Sequence, residues 1–290
     1  MITRVGCVLA SVVVLSAPGT AQAAQAQAVQ AVQARAGQAQ AVPDVMAALG
    51  DSISTGFNSC GFYVSCVSRS WSSGDNGEVS SHYLRLSKLS GTLHKHNRNF
   101  AVPGSTSADL LGQVKQAVAA KADYVTILIG ALDACVSTEQ AMTPVATYRR
   151  RMESALAELR AGMPRARVFL ASIPDLRRLW QVGRSNPLAR TFWSVGRICQ
   201  SLLAKPTSTR AADTERRDRV RARVIAYNRA AAEVCAAYGP ACRTDGGAVF
   251  AYPFTLSHLS KWDYFHPNIA GQRALADQTF KHGFDWIDPR

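Results

Sequence analysis

Five short apolar runs alternate along the chain with stretches of helical periodicity. The runs cover residues 45–49, 99–102, 124–129, 167–172 and 248–252, and glycine or proline follows each of them within two residues. Nearly continuous hydrophobicity is typical of strands that are buried on both faces of a sheet. The helical stretches cover residues 79–89, 107–121, 144–163, 214–237 and 268–281. This alternation predicts a three-layer α/β/α domain with a central parallel sheet.

The amino terminus has the pattern of a secretory signal peptide. Arg4 precedes an apolar run that is too short to span a bilayer, and small residues follow. We therefore expect a signal peptide at residues 1–23, cleaved after Ala23. Residues 24–43 are repetitive alanine and glutamine, which cannot build a core, and we interpret them as a flexible leader. Residues 44–290 are then expected to form one domain of a secreted, extracellular protein.

Six cysteines remain after the predicted signal peptide, and an even number in an exported chain favours disulfides over free thiols. Among the possible pairings we favour chain order, because Cys60–Cys66 and Cys235–Cys242 would each close a short loop. Cys135–Cys199 is then the remaining pair.

The net charge of +13 comes from one segment of the chain. Residues 149–229 contain 19 Lys and Arg against 6 Asp and Glu, so this segment accounts for the whole excess. Nucleic-acid binding would need interleaved aromatic side chains or a recognition helix. Residues 214–237 instead predict an amphipathic helix whose arginines face water and whose buried stripe is Val220, Val224, Tyr227 and Ala231. The alternative to this solvated face is attraction to anionic lipid or to an acidic polymer.

Asp263 and His266 are three residues apart and follow the last predicted strand. At this spacing a carboxylate can orient an imidazole, which then acts as a general base for a nucleophile. Ser52 is the natural partner, because it follows a buried strand and Gly50, where a tight turn can expose its hydroxyl group. Sites in parallel sheets gather beyond the carboxyl ends of the strands. These residues therefore predict a Ser-His-Asp triad.

Four segments in order resemble the four sequence blocks of the SGNH/GDSL hydrolases. They are "GDSIST" at Ser52, the glycine at Gly104, "GALD" from Gly130 and "DYFHPN" at His266. The likeness covers the domain from Gly50 through the last helix and is greatest to secreted bacterial lipases, esterases and phospholipases with three disulfides.

The resemblance implies a flavodoxin-like α/β/α fold and a serine ester hydrolase that needs no metal and no other cofactor. It makes Ser52 the nucleophile, His266 the base and Asp263 its orienting carboxylate. The backbone N–H groups of Ser52 and Gly104 would be donors of the oxyanion hole. Asp51 would have a structural rather than a catalytic role.

One block departs from the family pattern, because Leu132 occupies the position of an asparagine that donates a side-chain N–H to the oxyanion. Leucine cannot donate a hydrogen bond. Losing one such donor costs about 10² to 10³ in rate. The chain is then a slow enzyme with two backbone donors, a naturally inactive relative, or a deliberately altered version of an active enzyme. The intact triad favours residual hydrolase activity.

Residues 176–212 follow the fourth predicted strand and are too long for an ordinary connection. They mix apolar side chains with arginines, and a Cys135–Cys199 disulfide would hold them close to Gly130. We expect a lid or pocket wall that is apolar inside and basic outside. The alternative is a surface excursion that the disulfide stabilises. Trp180, Trp193 and Trp262 are candidates either for an acyl pocket or for buried packing.

The histidines His82, His94 and His96 include a His-x-His pair that could bind metal. No third ligand is evidently placed with them, so we interpret them as exposed helix and loop residues and expect no metal site.

Lipid acyl esters, including phospholipids, are the first substrate class that we expect. An apolar, cationic rim around the site would suit esters at an anionic lipid interface. Carbohydrate acetyl ester hydrolysis, acyl transfer to another alcohol, and a catalytically impaired binding protein are the alternatives. We further expect a monomer with no nucleic-acid partner and no transmembrane anchor.

Overall fold

The computed structural model describes Gln25, residues 42–89 and residues 91–283. The chain divides into two compact units, Met1–Gln40 and Ala41–Arg290. Apart from Gln25 and residues 42–43, the predicted signal peptide and leader lie outside the described residues. The architecture that follows is that of the second unit.

A five-stranded parallel sheet forms the middle layer of this unit, with strand order β2-β1-β3-β4-β5. The strands are β1 Met46–Gly50, β2 Asn97–Asn99, β3 Tyr124–Leu128, β4 Arg167–Leu170 and β5 Cys242–Thr244. Every residue of β1 and β3 is buried, which explains why their sequences are almost continuously apolar.

Helices cover both faces of the sheet, so the three-layer α/β/α prediction is confirmed. The α-helices of the described residues are α1 His82–Ser87, α2 Leu110–Ala119, α3 Ala131–Ala134, α4 Val145–Gly162, α5 Leu176–Gly183, α6 Pro187–Val195, α7 Gln200–Leu203, α8 Ala211–Tyr238, α9 Ala248–Ala251 and α10 Ile269–Gly283. Each of the five predicted helical stretches overlaps one of them. No helix of the described part of the chain combines the length and the hydrophobicity that crossing a membrane requires.

The prediction of a last strand at residues 248–252 is wrong. That segment contains helix α9, and the edge strand β5 begins six residues earlier. Gly246 and Gly247 turn the chain between them with positive φ angles of 61° and 85°. The carboxylate of Asp245 accepts the N–H groups of Gly247 and Val249 at 3.1 and 2.8 Å and so starts the helix. Strand β2 also begins two residues before the predicted run.

Helix α8 buries the predicted stripe at Val220, Val224 and Tyr227, whereas Ala231, predicted as its fourth member, is only partly buried against the same core. The expectation that its arginines all face water is wrong for Arg217, which is only 1% exposed. The guanidinium group donates to the carbonyl oxygens of Ser208 and Lys205 at 2.9 and 2.7 Å and lies 4.4 Å from the ring centre of Trp180. Arg217 therefore attaches the 176–212 insertion to the main domain.

His82 is likewise buried, whereas His94 and His96 are exposed as expected. Its ring nitrogens lie 3.0 Å from the Tyr124 hydroxyl group and 2.6 Å from Thr279 Oγ1. Burial lowers the pKa of His82 well below its usual value, and this side chain belongs to the core. Within residues 42–89 and 91–283 there is no cluster of three or more His, Cys, Asp or Glu that could hold a metal ion.

Candidate active site

Ser52 lies in a tight turn at the carboxyl end of the central strand β1. Gly50 precedes it with φ +135°, and a Cβ atom there would lie 2.0 Å from the carbonyl oxygen of Leu128. Only glycine therefore fits at this position. The carbonyl oxygen of Asp51 accepts the N–H groups of Ser54 and Thr55 at 3.1 and 3.2 Å, which closes the turn. This local structure holds Ser52 at the sheet edge where sites of parallel sheets form.

The structure brings the three predicted triad residues into one hydrogen-bonded chain. His266 Nε2 lies 2.8 Å from Ser52 Oγ, and His266 Nδ1 lies 2.5 Å from Asp263 Oδ2. The second carboxylate oxygen, Asp263 Oδ1, accepts the backbone N–H groups of Phe265 and His266 at 2.9 and 3.0 Å. The three-residue spacing thus forms a turn around the carboxylate, and the imidazole points back toward Ser52.

Asp263 is buried yet ionised. Burial raises the pKa of its carboxyl group, but the hydrogen bond and charge of His266 and two backbone N–H groups outweigh burial and lower the pKa below 3.8. Asn58 Nδ2 adds a further hydrogen bond to Asp263 Oδ2 at 2.6 Å. An ionised carboxylate here fixes a proton on Nδ1 of His266 and leaves Nε2 free to accept one from Ser52.

Asp51 also lies beside the nucleophile, but it faces the interior. It is fully buried, and burial raises its pKa to about 7 against the lowering effect of a hydrogen bond from the Ile53 N–H group. That N–H lies 2.9 Å from Asp51 Oδ1, whereas Oδ2 has no hydrogen-bond partner among the described residues. These contacts are those of a residue that shapes the turn.

The two backbone groups expected to form the oxyanion hole border the same cleft. Ser52, Gly104 and Leu132 all line it. Across the described residues, the N–H groups of Ser52 and Gly104 donate to no other protein atom. Leu132, in the short helix α3, places an apolar side chain in the cleft wall and contributes no side-chain donor.

Gln113 connects the two backbone segments that contain Ser52 and Gly104, and the sequence analysis missed it. Its Oε1 accepts the Gly50 N–H at 2.7 Å, and its Nε2 donates to the Gly50 carbonyl oxygen at 2.9 Å and to Ser105 Oγ at 3.1 Å. The side chain thus joins the turn before Ser52 to the loop that contains Gly104. The sequence did contain a signal for this role, because Gln113 is a polar residue on the apolar face of the predicted helix 107–121.

Asp133 makes a second connection of this kind. Its carboxylate accepts the backbone N–H and the hydroxyl group of Ser107 at 2.8 and 2.6 Å, and Arg151 Nη1 lies 3.6 Å away. The loop after β2 is thereby attached to helix α3. Gly104 and Leu132, which lie on these two segments, are consequently fixed relative to each other.

The cleft in front of the triad has a volume of about 930 Å³ and mostly apolar walls. Helix α6 of the 176–212 insertion supplies one wall, with Leu188, Phe192 and Val195 among the lining residues. The Cys135–Cys199 disulfide attaches this insertion to the segment after α3. Trp193 is fully buried and donates from Nε1 to the carbonyl oxygen of Tyr264 at 3.1 Å, inside the loop that contains the triad acid and base.

A second, smaller apolar pocket of about 60 Å³ also borders Ser52, Leu132 and His266. Its remaining wall includes Leu179 of α5 and Phe254. The nucleophile therefore has two apolar spaces beside it, one wide and one narrow. An ester placed at Ser52 can direct its acyl and alcohol groups into separate spaces.

The other disulfides of the structure are Cys60–Cys66 and Cys235–Cys242. The first closes the loop that contributes Phe62 and Tyr63 to the cleft, and the N–H group of Tyr63 donates to Asn58 Oδ1 at 2.6 Å. Of the three tryptophans considered above, Trp262 lines the cleft, whereas Trp180 and Trp193 are buried.

Solved structures of lipases share this fold. A protein described as a GDSL-like lipase from Parabacteroides merdae superposes with a TM-score of 0.51 at 14% identity, over 82% of this chain and 94% of that one. The lipase Lip_vut3 from a goat rumen metagenome superposes with a TM-score of 0.50 at 16% identity, over 81% of this chain and 95% of that one. For an extracellular lipase from Streptomyces rimosus the TM-score is 0.44 at 18% identity, over 81% of this chain and 98% of that one. No curated protein matches the chain at a significant level.

The family model described as the GDSL-like lipase/acylhydrolase family matches residues 48–274. The matched range includes the turn at Ser52, the loop at Gly104 and the segment of Asp263 and His266. It covers most of the chain and nearly all of the unit that carries the site. The chain belongs to the GDSL-like lipase/acylhydrolase family.

Proposed function

We propose that this protein is a secreted serine esterase that hydrolyses carboxylic esters, with lipid acyl esters as the main substrate class. The observation that carries the proposal is the hydrogen-bonded chain from Asp263 through His266 to Ser52, which opens onto an apolar cleft. Ester hydrolysis also agrees with the family to which the chain belongs.

In the proposed mechanism, His266 Nε2 accepts the proton of Ser52 Oγ while the oxygen attacks the ester carbonyl carbon. The N–H groups of Ser52 and Gly104 donate to the oxyanion that forms. When the tetrahedral intermediate collapses, His266 gives its proton to the departing alcohol, and the acyl group remains on Ser52. A water molecule then attacks the acyl carbon while His266 accepts one of its protons. When this second tetrahedral intermediate collapses, the bond to Ser52 Oγ breaks, His266 returns the proton to Ser52 Oγ, and the carboxylic acid is released.

The size and apolar walls of the cleft support lipid esters, including phospholipids, as substrates. A long acyl chain would find room there, and the basic excess of residues 149–229 would favour esters at an anionic lipid interface. Leu132 leaves the oxyanion hole with two backbone donors, so turnover is expected to be slower than with the asparagine of the family pattern.

Two other functions have specific support. The narrow pocket of about 60 Å³ is of a size that suits a short acyl group, which favours a carbohydrate acetyl esterase. Leu132 favours a catalytically impaired relative that binds esters. The proposal further includes secretion, supported by the three disulfides and the amino-terminal sequence, and a monomeric protein that works without metal or cofactor.

A panel of p-nitrophenyl esters from acetate to palmitate tests the proposal. We expect turnover that increases with chain length, and we expect Ser52→Ala or His266→Ala to lower it by at least about 10³. Ser137→Ala, which changes an exposed serine, is the matched control and should retain full activity. Hydrolysis of acetate alone would favour the acetyl esterase. Absence of turnover in a folded protein would favour the impaired relative.

A further inference from the structure

Large exposed apolar side chains are concentrated at the mouth of the cleft. Phe62, Tyr63, Leu188, Val195 and Trp262 all line it, with exposed fractions of 62%, 79%, 57%, 80% and 48%. Apolar patches of this kind on a protein surface mark sites of contact with a partner or a membrane. We call these five residues the docking rim.

The docking rim is assembled from three separate segments. Phe62 and Tyr63 lie in the loop that the Cys60–Cys66 disulfide closes, Leu188 and Val195 lie on α6, and Trp262 directly precedes the triad acid. The rings of Phe62 and Trp262 are 6.0 Å apart, so the first and third segments meet. Because a disulfide closes the first segment and another anchors the insertion, the rim is presented on constrained parts of the chain.

The three segments around the docking rim carry almost no negative charge. Residues 52–74, 176–212 and 252–268 contain nine Lys and Arg, and Asp263 of the triad, which is buried, is their one acidic residue. Arg184, Arg197 and Lys261 are exposed, and among the described residues none of them forms an ion pair. Lys261 adjoins Trp262, and Arg197 follows Val195 by two residues, so exposed positive charge lies beside the apolar side chains of the docking rim.

We infer that the docking rim binds the surface of an anionic lipid bilayer and places the cleft mouth against it. Aromatic and aliphatic side chains are stabilised at the boundary between headgroups and acyl chains, and each nearby Lys or Arg is attracted to anionic headgroups. An acyl chain could then pass from the bilayer into the cleft with little exposure to water. The inference rests on the proposed function, because it names the form in which the ester is presented to Ser52.

Vesicle flotation with the full chain carrying Ser52→Ala tests the inference without hydrolysing the lipid. The probes are vesicles of phosphatidylcholine alone and of phosphatidylcholine mixed with phosphatidylglycerol. We expect binding to the mixed vesicles to be at least about tenfold tighter than to the neutral ones and to weaken as salt is raised. Equal binding to both vesicles, or binding to neither, would overturn the inference.

Two pairs of substitutions locate the contact. Phe62→Ser with Val195→Ser should weaken binding to mixed vesicles by about tenfold or more, because two exposed apolar side chains lose contact with the bilayer. The matched control, Leu89→Ser with Ile225→Ser, changes side chains that are 41% and 43% exposed and that do not line the cleft, and binding should persist. Equal loss in both pairs would contradict a localised docking rim.

Charge is tested in the same way. Arg184→Gln with Arg197→Gln should reduce binding to the mixed vesicles by about tenfold or more. Lys121→Gln with Arg165→Gln removes the same charge where the chain enters β3 and β4, at the opposite edge of the sheet, and should have little effect. The inference fails if the second pair weakens binding as much as the first.

Parallel measurements separate this inference from the proposed function. If the wild-type protein hydrolyses soluble p-nitrophenyl butyrate but binds no vesicle, the docking-rim inference is wrong and the proposed esterase function stands. If the protein binds vesicles but hydrolyses no ester, the docking-rim inference stands and the proposed esterase function is wrong. A dimer that Phe62→Ser with Val195→Ser dissociates, in a protein that binds no vesicle, would make the rim a contact between two copies of the chain.

Discussion

At the scale of single residues, Leu132 is the feature that separates this site from the pattern of its family. It borders both the wide cleft and the narrow pocket beside Ser52. The other predicted residues lie together, since Ser52, His266 and Asp263 form one hydrogen-bonded chain and Ser52 and Gly104 border the same cleft. We therefore expect the missing donor, rather than a misplaced nucleophile, to limit turnover.

Replacing Leu132 with asparagine tests this attribution. Leu132→Asn should raise kcat by about 10² or more with little change in KM, because oxyanion donors act on the transition state more than on bound substrate. The added polar group should lower the free energy of unfolding by about 1–3 kcal/mol if it finds no partner in the free enzyme. Steady-state kinetics and denaturant unfolding measure the two effects.

Leu132→Ala is the matched control, since it removes the leucine side chain without adding a donor, and kcat should not rise. An unchanged kcat in a folded Leu132→Asn protein would show that another group already donates there or that the hole has a different shape.

The sequence indicated that Ser52, Asp263 and His266 lie together, but not which residues hold them in place. Ser52, Asp263 and His266 could be found because each lies in a short motif next to a predicted strand. Asn58 contacts Asp263 across 205 residues of chain, and Gln113 contacts Gly50 across 63. Such contacts depend on the packing of distant segments, and no local pattern in the sequence reports them.

At the scale of elements, the predictions succeeded where burial alone decided the structure and failed where a turn redirected the chain. Strands β1 and β3 follow directly from buried runs. The segment at residues 248–252 is equally apolar but forms α9, because Gly246, Gly247 and the carboxylate of Asp245 turn and cap the chain. The burial of Arg217 was also missed, because it depends on carbonyl oxygens that the insertion supplies.

The disulfide at the insertion should contribute more to stability than those in short loops. Cys135–Cys199 joins residues 64 apart, and loop-closure entropy predicts a loss of about 4 kcal/mol in the free energy of unfolding for Cys135→Ser with Cys199→Ser. Cys235→Ser with Cys242→Ser, which opens a link between residues 7 apart, is the matched control and should lose about 2 kcal/mol.

The two pairs should also differ in catalysis. Helix α6 forms a wall of the cleft, so loss of its tether should raise KM for long-chain esters, whereas the control pair should leave KM unchanged. Urea unfolding and ester kinetics give both quantities. Equal effects of the two pairs on KM would contradict the assignment of the insertion as a substrate-binding wall.

At the scale of the whole molecule, the layered architecture brings distant motifs to one edge of the sheet. The segments after β1, β2 and β3 carry Ser52, Gly104 and Leu132, and the loop before α10 adds Asp263 and His266. Hydrophobic patterning made this arrangement predictable, because parallel strands with helical connections place their carboxyl ends together. The shape of the cleft was not predictable, since it depends on how α6 and the Cys60–Cys66 loop face each other.

The central claim is that these segments form one working Ser-His-Asp site, and covalent trapping tests it most directly. Incubation with a fluorophosphonate followed by peptide mass spectrometry should find a single phosphonyl group on Ser52. Labelling should be lost in Ser52→Ala and strongly slowed in His266→Ala, because the base activates the nucleophile. Labelling at another residue, or undiminished labelling of Ser52→Ala, would contradict the account.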